Sequence, residues 1–137
     1  MLIARVIYVK QGADKPFVIV DAAMNDLIRP TLYEAHHDIK PVMEASPDTP
    51  RIVADVVGPV CETGDYLALS RDMPQVKAGD LIAIMTAGAY GAVQANTYNT
   101  RLLVPEVLVH GDDHAVVRPR PTYEDLIGLD QVPGWLE

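Results

Sequence analysis

Residues 58–65 (GPVCETGD) carry the side chains whose chemistry is easiest to specify. A Gly-Pro pair at the start and a Gly-Asp pair at the end predict a loop that follows a strand, with Cys61 and Glu62 exposed on it. Glu62 and nearby Asp65 disfavour a thiolate, so we predict that Cys61 is a thiol that acts as a general acid rather than a nucleophile. The alternative is a small buried hydrophobic side chain. The polar neighbours of Cys61 argue against that alternative.

Residues 21–37 (DAAMNDLIRPTLYEAHH) place Arg29 and Tyr33 four positions apart. If Pro30 opens a helical turn, both side chains face the same side of the helix. A guanidinium fork and a phenol in that arrangement can bind one carboxylate. The alternative is a surface arginine and a tyrosine half-buried on a sheet. The spacing alone leaves both interpretations open.

A third segment, residues 87–101 (AGAYGAVQANTYNTR), has Gly88 and Gly91 on either side of Tyr90, directly after a predicted strand. Small neighbours let the backbone approach a ligand closely and present one aromatic hydroxyl. A plain glycine-rich turn is the alternative. The segment lacks the lysine and the glycine spacing of a phosphate-binding or dinucleotide-binding loop.

Four histidines raise the question of a metal site. His36 and His37 are adjacent, and His110 and His114 flank a predicted turn. Histidines four residues apart converge on a metal when they share a helix, whereas this pair lies on two sides of a turn. We therefore expect no metal.

Composition restricts the class of protein that presents these residues. The 137 residues are 49% hydrophobic and 22% charged, which is typical of one globular domain with a real core. A formal net charge of -8 disfavours nucleic acid and anionic membranes as partners. A single cysteine cannot form an internal disulfide, no apolar run is long enough to span a membrane, and the N-terminus lacks signal-peptide features. We expect a soluble, cytoplasmic protein.

Short runs rich in Val, Ile and Leu, separated by turn residues, predict a mostly β fold: LIARVIYV, FVIVDAA, RIVADVV, YLALS, LIAIMTA and PEVLVH. The first two strands and a late pair with a turn at residues 111–113 are predicted to be hairpins. Eleven prolines limit helices to two short ones, at residues 32–36 and at 123–129 with Thr122 as N-cap. The expected architecture is a Greek-key-like β-sandwich or partly closed barrel with one or two short helices.

The three segments, together with DLIAIMTAGAYGA, YNTR, PEVLV and TYEDL, occur in an order and approximate spacing that resemble the C-terminal β domain of diaminopimelate decarboxylase. That family belongs to the alanine-racemase-like group of pyridoxal-phosphate decarboxylases. The resemblance extends from about residue 5 to residue 126. CETGD, combined with IRPTLY upstream and AGAYG downstream, is a far more specific signature than any one of the three alone.

The resemblance implies that residues 1–137 are the C-terminal β domain of a two-domain enzyme whose N-terminal (β/α)8 barrel is absent from this chain. The barrel carries the lysine that forms a Schiff base with pyridoxal 5'-phosphate. None of the four lysines here, Lys10, Lys15, Lys40 and Lys77, matches that lysine's motif. The domain alone is therefore expected to be inactive.

The resemblance also implies roles for individual residues. The intact enzyme is a lyase of lysine biosynthesis that converts meso-2,6-diaminopimelate to L-lysine and CO2. Cys61 corresponds to the proton donor to the substrate Cα, and Glu62 to the residue that receives the distal ammonium. Arg29 and Tyr33 correspond to residues that hold the distal carboxylate, and Tyr90 to a tyrosine that contacts cofactor and substrate. The family is homodimeric, and its Cys-Glu pair reaches into the partner subunit's barrel.

Two alternatives remain. Related ornithine and arginine decarboxylases act on substrates without a distal carboxylate and generally have Asp after the cysteine, where this chain has Glu62. A free-standing β module that binds a ligand or partner would need no barrel at all.

Overall fold

Six strands form one mixed sheet in Met1–Ala95, the first of two units into which the chain divides. The structure is a computed structural model and describes residues 1–136. The strands are β1 (Leu2–Gln11), β2 (Pro16–Val20), β3 (Ile39–Pro41), β4 (Arg51–Val57), β5 (Tyr66–Pro74) and β6 (Leu81–Ile84). Their order in the sheet is β3-β6-β1-β2-β4-β5. The predicted β1–β2 hairpin is confirmed, and β2 pairs with β4 in parallel.

The two edge strands of this sheet, β3 and β5, contact each other. The Arg71 guanidinium on β5 donates a hydrogen bond of 2.7 Å to the backbone oxygen of His37, just before β3. The sheet is therefore a partly closed barrel, which confirms one of the two architectures expected from the sequence. Closure leaves less edge backbone without a partner.

The barrel interior is filled by alternate residues of the strands, as period-2 apolar patterns require. In β1, Ala4 and Val6 are buried while Ile3 is exposed. The alternation fails beyond Val6, because the pairing with β2 shifts register there and Tyr8 becomes exposed. The largest fully buried apolar side chains are Leu27, Leu67, Met73, Ile82, Ile84, Val6, Val18, Val20 and Val56.

A bulge bends β5 opposite β4. Ser70 has a left-handed φ of 47°, and the β4–β5 register shifts between Ala54 and Val56. The residue between them, Asp55, is buried and accepts a 2.6 Å hydrogen bond from the Ser70 N–H. The Lys15 ammonium lies 2.7 Å from the same carboxylate. A bulge of this kind increases local twist, which favours barrel closure.

The first helix, α1 (Arg29–Tyr33), begins three residues before the predicted helix at 32–36. The prediction is wrong at the C-terminal end because Glu34 adopts a left-handed φ of 54° and ends the helix. Proline is tolerated in the first turn, so Pro30 becomes the second helical residue rather than a residue before the helix. Both Arg29 and Tyr33 consequently belong to α1.

The second unit, Asn96–Glu137, contains a separate hairpin of β7 (Glu106–His110) and β8 (Asp113–Arg118). The predicted turn is confirmed at residues 111–112, with Gly111 at a φ of 60°, while Asp113 is the first residue of β8. Short 3-10 turns lie at Tyr98–Thr100 and Gly134–Leu136. In the part of the chain that the structure describes, no helix is long and apolar enough to cross a membrane.

The second helix of the chain, α2 (Tyr123–Ile127), follows the hairpin. Thr122 is its N-cap, as predicted, and forms a reciprocal capping box with Asp125. The helix ends two residues earlier than the predicted limit at 129. With α1, it gives the mostly β chain the two short helices that the sequence predicts.

Candidate active-site surface

The loop between β4 and β5 is organised by one buried carboxylate. Asp65 is 4% exposed, and its Oδ1 accepts a 2.7 Å hydrogen bond from the Met24 N–H while its Oδ2 accepts a 2.6 Å bond from the Val60 N–H. The Gly58 N–H donates to the Asp65 backbone oxygen at 3.0 Å. A Cβ on Gly58 would overlap both carboxylate oxygens of Asp65. The loop therefore closes only around a glycine at position 58.

Cys61 and Glu62 are exposed on this loop, which confirms their predicted position. The alternative of a small buried hydrophobic side chain for Cys61 is wrong. The Gly64 N–H donates to Glu62 Oε1 at 3.3 Å. Asp65, expected from the sequence as an acidic neighbour, has its carboxylate bonded to two backbone N–H groups. Its electrostatic effect on the Cys61 thiol stays a prediction.

Helix α1 is attached to the loop by Thr31, whose hydroxyl donates a hydrogen bond to the Gly64 backbone oxygen. A Cβ on Gly64 would lie 2.9 Å from Thr31 Cγ2, so α1 packs directly against the glycine backbone. Arg29 is half-buried and Tyr33 is 58% exposed. Among the ion pairs found within residues 1–136, none uses the Arg29 guanidinium. The two predicted anion-binding side chains thus lie on a helix fixed to the Cys61 loop.

The turn after β6 presents Tyr90, which is 62% exposed and has a left-handed φ of 59°. This backbone conformation is uncommon for a bulky residue and is often found at functional sites. Gly91 is buried, and a Cβ there would overlap the Ala87 backbone oxygen, so this glycine serves the turn itself rather than the approach of a ligand. Gly88 has open space around its missing Cβ.

Gln94 connects this turn to α1, because its Nε2 donates to the Tyr33 hydroxyl at 3.5 Å. The three sequence segments chosen for their chemistry are therefore joined. Gly64 meets Thr31, Asp65 meets Met24, and Gln94 meets Tyr33. The three connecting residues that the sequence did not single out are Thr31, Met24 and Gln94. Met24 bonds through its backbone N–H, which gives no signal in the sequence. Thr31 and Gln94 bond through polar side chains, whose types do not specify a partner.

The adjacent histidines lie beside this surface with different partners. His37 is buried, and its Nδ1 is 2.9 Å from the Met85 backbone oxygen. His36 is exposed, with Nε2 3.1 Å from Asp38 Oδ1 and Nδ1 3.2 Å from the Arg71 guanidinium. The hydrogen bond from His36 lowers the pKa of the Asp38 carboxyl. These contacts link the segment before β3 to Arg71 on β5 and to Met85, the residue after β6.

The other two histidines lie on opposite strands of the β7–β8 hairpin and are not paired with each other. His114 is opposite Val109, and His110 is opposite Asp113. Over residues 1–136, no group of three or more His, Cys, Asp and Glu side chains is placed to hold a metal ion.

Comparison with known proteins places this surface in a family context. A family described as "Pyridoxal-dependent decarboxylase, C-terminal sheet domain" matches residues 1–88. Over 136 residues the chain is 52% identical to a diaminopimelate decarboxylase of Zymomonas mobilis, covering 99% of this chain and 32% of that protein. The chain thus spans about a third of the length of the curated relatives that it matches.

Solved structures give the same result for the backbone. The crystal structure of diaminopimelate decarboxylase from M. jannaschii superposes with a TM-score of 0.92 at 36% identity, over 99% of this chain and 31% of that one. The enzyme from Helicobacter pylori, crystallised with L-lysine, superposes with a TM-score of 0.84 at 43% identity, over 93% of this chain and 31% of that one. The fold described above is therefore shared with these proteins.

Proposed function

The chain belongs to the family of C-terminal sheet domains of pyridoxal-dependent decarboxylases, and from this premise we propose that it is the C-terminal β domain of a diaminopimelate decarboxylase. The intact enzyme would convert meso-2,6-diaminopimelate to L-lysine and CO2 in the cytoplasm as a homodimer. The observation that carries the proposal is the junction of three segments, which bear Cys61 and Glu62, Arg29 and Tyr33, and Tyr90.

Pyridoxal phosphate, when bound, supplies an electron sink for the carbanion left by loss of CO2. The residues of this chain fit one side of such a site. Tyr90 presents an exposed hydroxyl that can contact the cofactor and the substrate. The amines of Lys15 and Lys77 are paired with Asp55 and Asp80. We infer that the Schiff-base lysine belongs to the barrel of the longer protein, and that this chain alone forms no Schiff base.

Substrate recognition would rest on charge and shape. Arg29 can form a planar two-bond fork with the distal carboxylate of the substrate, and the Tyr33 hydroxyl can donate a further hydrogen bond to it. Glu62 supplies the negative charge for the distal ammonium. Ornithine-type and arginine-type substrates have no distal carboxylate, so the half-buried guanidinium of Arg29 on α1 supports the diaminopimelate assignment over theirs.

Cys61 would complete the reaction as the general acid. Its S–H bond would break as a C–H bond forms at the substrate Cα, and the resulting thiolate would regain a proton from solvent before the next turnover. Replacing Cys61 with Ala in the intact enzyme should lower kcat by roughly 10²- to 10⁴-fold, the usual size of an acid–base contribution. The Michaelis constant should change little by comparison.

The dimer part of the proposal has its own experiment. If Cys61 acts on the partner subunit's substrate, Cys61→Ala mixed with a variant that lacks the barrel lysine should recover about half a site per chain in the heterodimer. Each variant alone should be inactive. Heterodimers that are proven by differential tags and remain inactive would contradict action across the interface, even if the Cys61 chemistry holds.

The substrate assignment is tested by kcat/KM of the intact enzyme on diaminopimelate, ornithine and arginine. Preference for diaminopimelate is the expected result. Preference for ornithine or arginine would instead assign the chain to an ornithine or arginine decarboxylase. Inactivity on all three substrates would favour a binding module.

A further inference from the structure

A single carboxylate connects two of the three segments that carry the proposed site. Asp65 Oδ2 accepts from the Val60 N–H, next to Cys61, and Oδ1 accepts from the Met24 N–H, which lies 41 residues away in the sequence. Met24 lies in the short connection between β2 and the start of α1 at Arg29. One side chain therefore bonds both to the acid loop and to the approach to the carboxylate-binding helix.

These two bonds require a carboxylate rather than a polar side chain in general. Both partners are N–H donors at short distance, 2.7 Å and 2.6 Å, and an ionised Asp is an acceptor at both oxygens. An Asn in place of Asp65 would turn its NH2 group towards one of the two N–H groups. Because the site is buried, water cannot readily replace the lost acceptor.

We propose that Asp65 is a positioning residue that holds the Cys61 loop and the segment entering α1 in one fixed arrangement, so that the proton donor and the carboxylate-binding side chains each keep the position from which they act on substrate. This inference rests on the proposed function. Displacement of either segment by about 1 Å can cost roughly 100-fold in rate, because reacting groups must be held in a near-attack geometry.

Asp65→Asn in the intact enzyme tests the proposal, with Asp55→Asn as the matched control. Asp55 is also a buried aspartate with a 2.6 Å bond from a backbone N–H, but its partners are the Ser70 N–H in the β5 bulge and the Lys15 ammonium. Asp65→Asn should raise KM for diaminopimelate and lower kcat, with kcat/KM falling by about 100-fold. Partial unfolding reduces the number of active sites, so it lowers the apparent kcat without changing KM. Asp55→Asn should therefore leave KM unchanged.

Amide hydrogen exchange on the 137-residue chain gives a readout that does not depend on activity. In Asp65→Asn, at least one of the Met24 and Val60 amides should exchange at least about tenfold faster, because Asn keeps only one acceptor oxygen, while Asp55→Asn should leave both of these amides unchanged. An Asp65→Asn enzyme with normal KM and normal kcat per active site would overturn the proposal. If the intact enzyme shows no decarboxylase activity, the proposed function fails. Unchanged amide exchange at both Met24 and Val60 would separately refute the positioning role of Asp65.

Discussion

Replacing Gly58 with Ala should destabilise the chain through Asp65. Gly58 has no left-handed φ, so alanine meets no backbone strain there, but its Cβ would overlap both Asp65 carboxylate oxygens. Asp65 is a short side chain held from two directions by the Met24 and Val60 N–H groups. It cannot move away without losing both bonds.

The size of the effect follows from those two bonds. Hydrogen bonds to charged groups contribute about 1.5 to 3 kcal/mol each, so their joint loss should lower the free energy of unfolding by roughly 3 to 6 kcal/mol. That is a large part of the usual total stability of about 5 to 15 kcal/mol. Asp65 is only 4% exposed, so solvent screening reduces this figure little.

Urea denaturation followed by far-ultraviolet circular dichroism measures the loss as a lower midpoint at constant m value. Gly88→Ala is the matched control, because its added Cβ has no atom of residues 1–136 within 4 Å other than those of its chain neighbours, and it should stay within about 0.5 kcal/mol of the unsubstituted chain. In an Asp65→Ala background the carboxylate is gone, so Gly58→Ala should cost far less. Equal costs of Gly58→Ala with and without Asp65 would refute the reasoning.

Three further predictions concern single contacts. Arg29→Lys in the intact enzyme should cost roughly 1.5 to 3 kcal/mol of substrate binding, because an ammonium cannot form the planar fork. The ratio of kcat/KM for diaminopimelate to kcat/KM for analogues without the distal carboxylate should fall in this variant. An unchanged ratio would show that Arg29 does not bind the distal carboxylate. Thr31→Val removes the donor to the Gly64 oxygen and should lower the free energy of unfolding by about 1 kcal/mol, measured in urea; no change would contradict it. Hydrogen bonding to the Thr122 backbone N–H and, to a smaller extent, to the Thr122 hydroxyl lowers the pKa of Asp125. The α2 capping box is therefore complete above about pH 3.9, the usual pKa of Asp, and is lost as pH falls through the lower pKa of the folded chain. NMR titration of Asp125 measures this pKa, and a midpoint at or above about 3.9 would contradict the prediction.

The hairpins, the exposure of Cys61 and the Thr122 cap could be predicted from the sequence. The hairpins and the Thr122 cap depend on contacts between residues close in the sequence, and the exposure of Cys61 is indicated by the turn residues on either side of it. The Thr122–Asp125 capping box spans three residues, and the β7–β8 turn needs only a left-handed glycine at position 111. Local rules of alternation, turn chemistry and capping are sufficient for such elements.

The extent of α1 could not be predicted in the same way. Its end coincides with the left-handed conformation of Glu34, and the chain then continues to the buried His37. Propensity gives a weak preference that tertiary contacts override.

The sequence by itself determined the mostly β composition, the three segments with chemical potential and the residue types available for acid catalysis and carboxylate binding. Only the tertiary structure decided that these segments meet. The Thr31–Gly64 contact joins residues 33 positions apart, and the Met24–Asp65 contact joins residues 41 positions apart. A backbone N–H or oxygen looks the same in every residue of a sequence, so its partner is selected when the barrel closes and the remaining buried donors and acceptors must be satisfied. Asp65 shows the difference most clearly, because its neighbours in the sequence suggest a charge beside Cys61, whereas its neighbours in space use it to hold the loop.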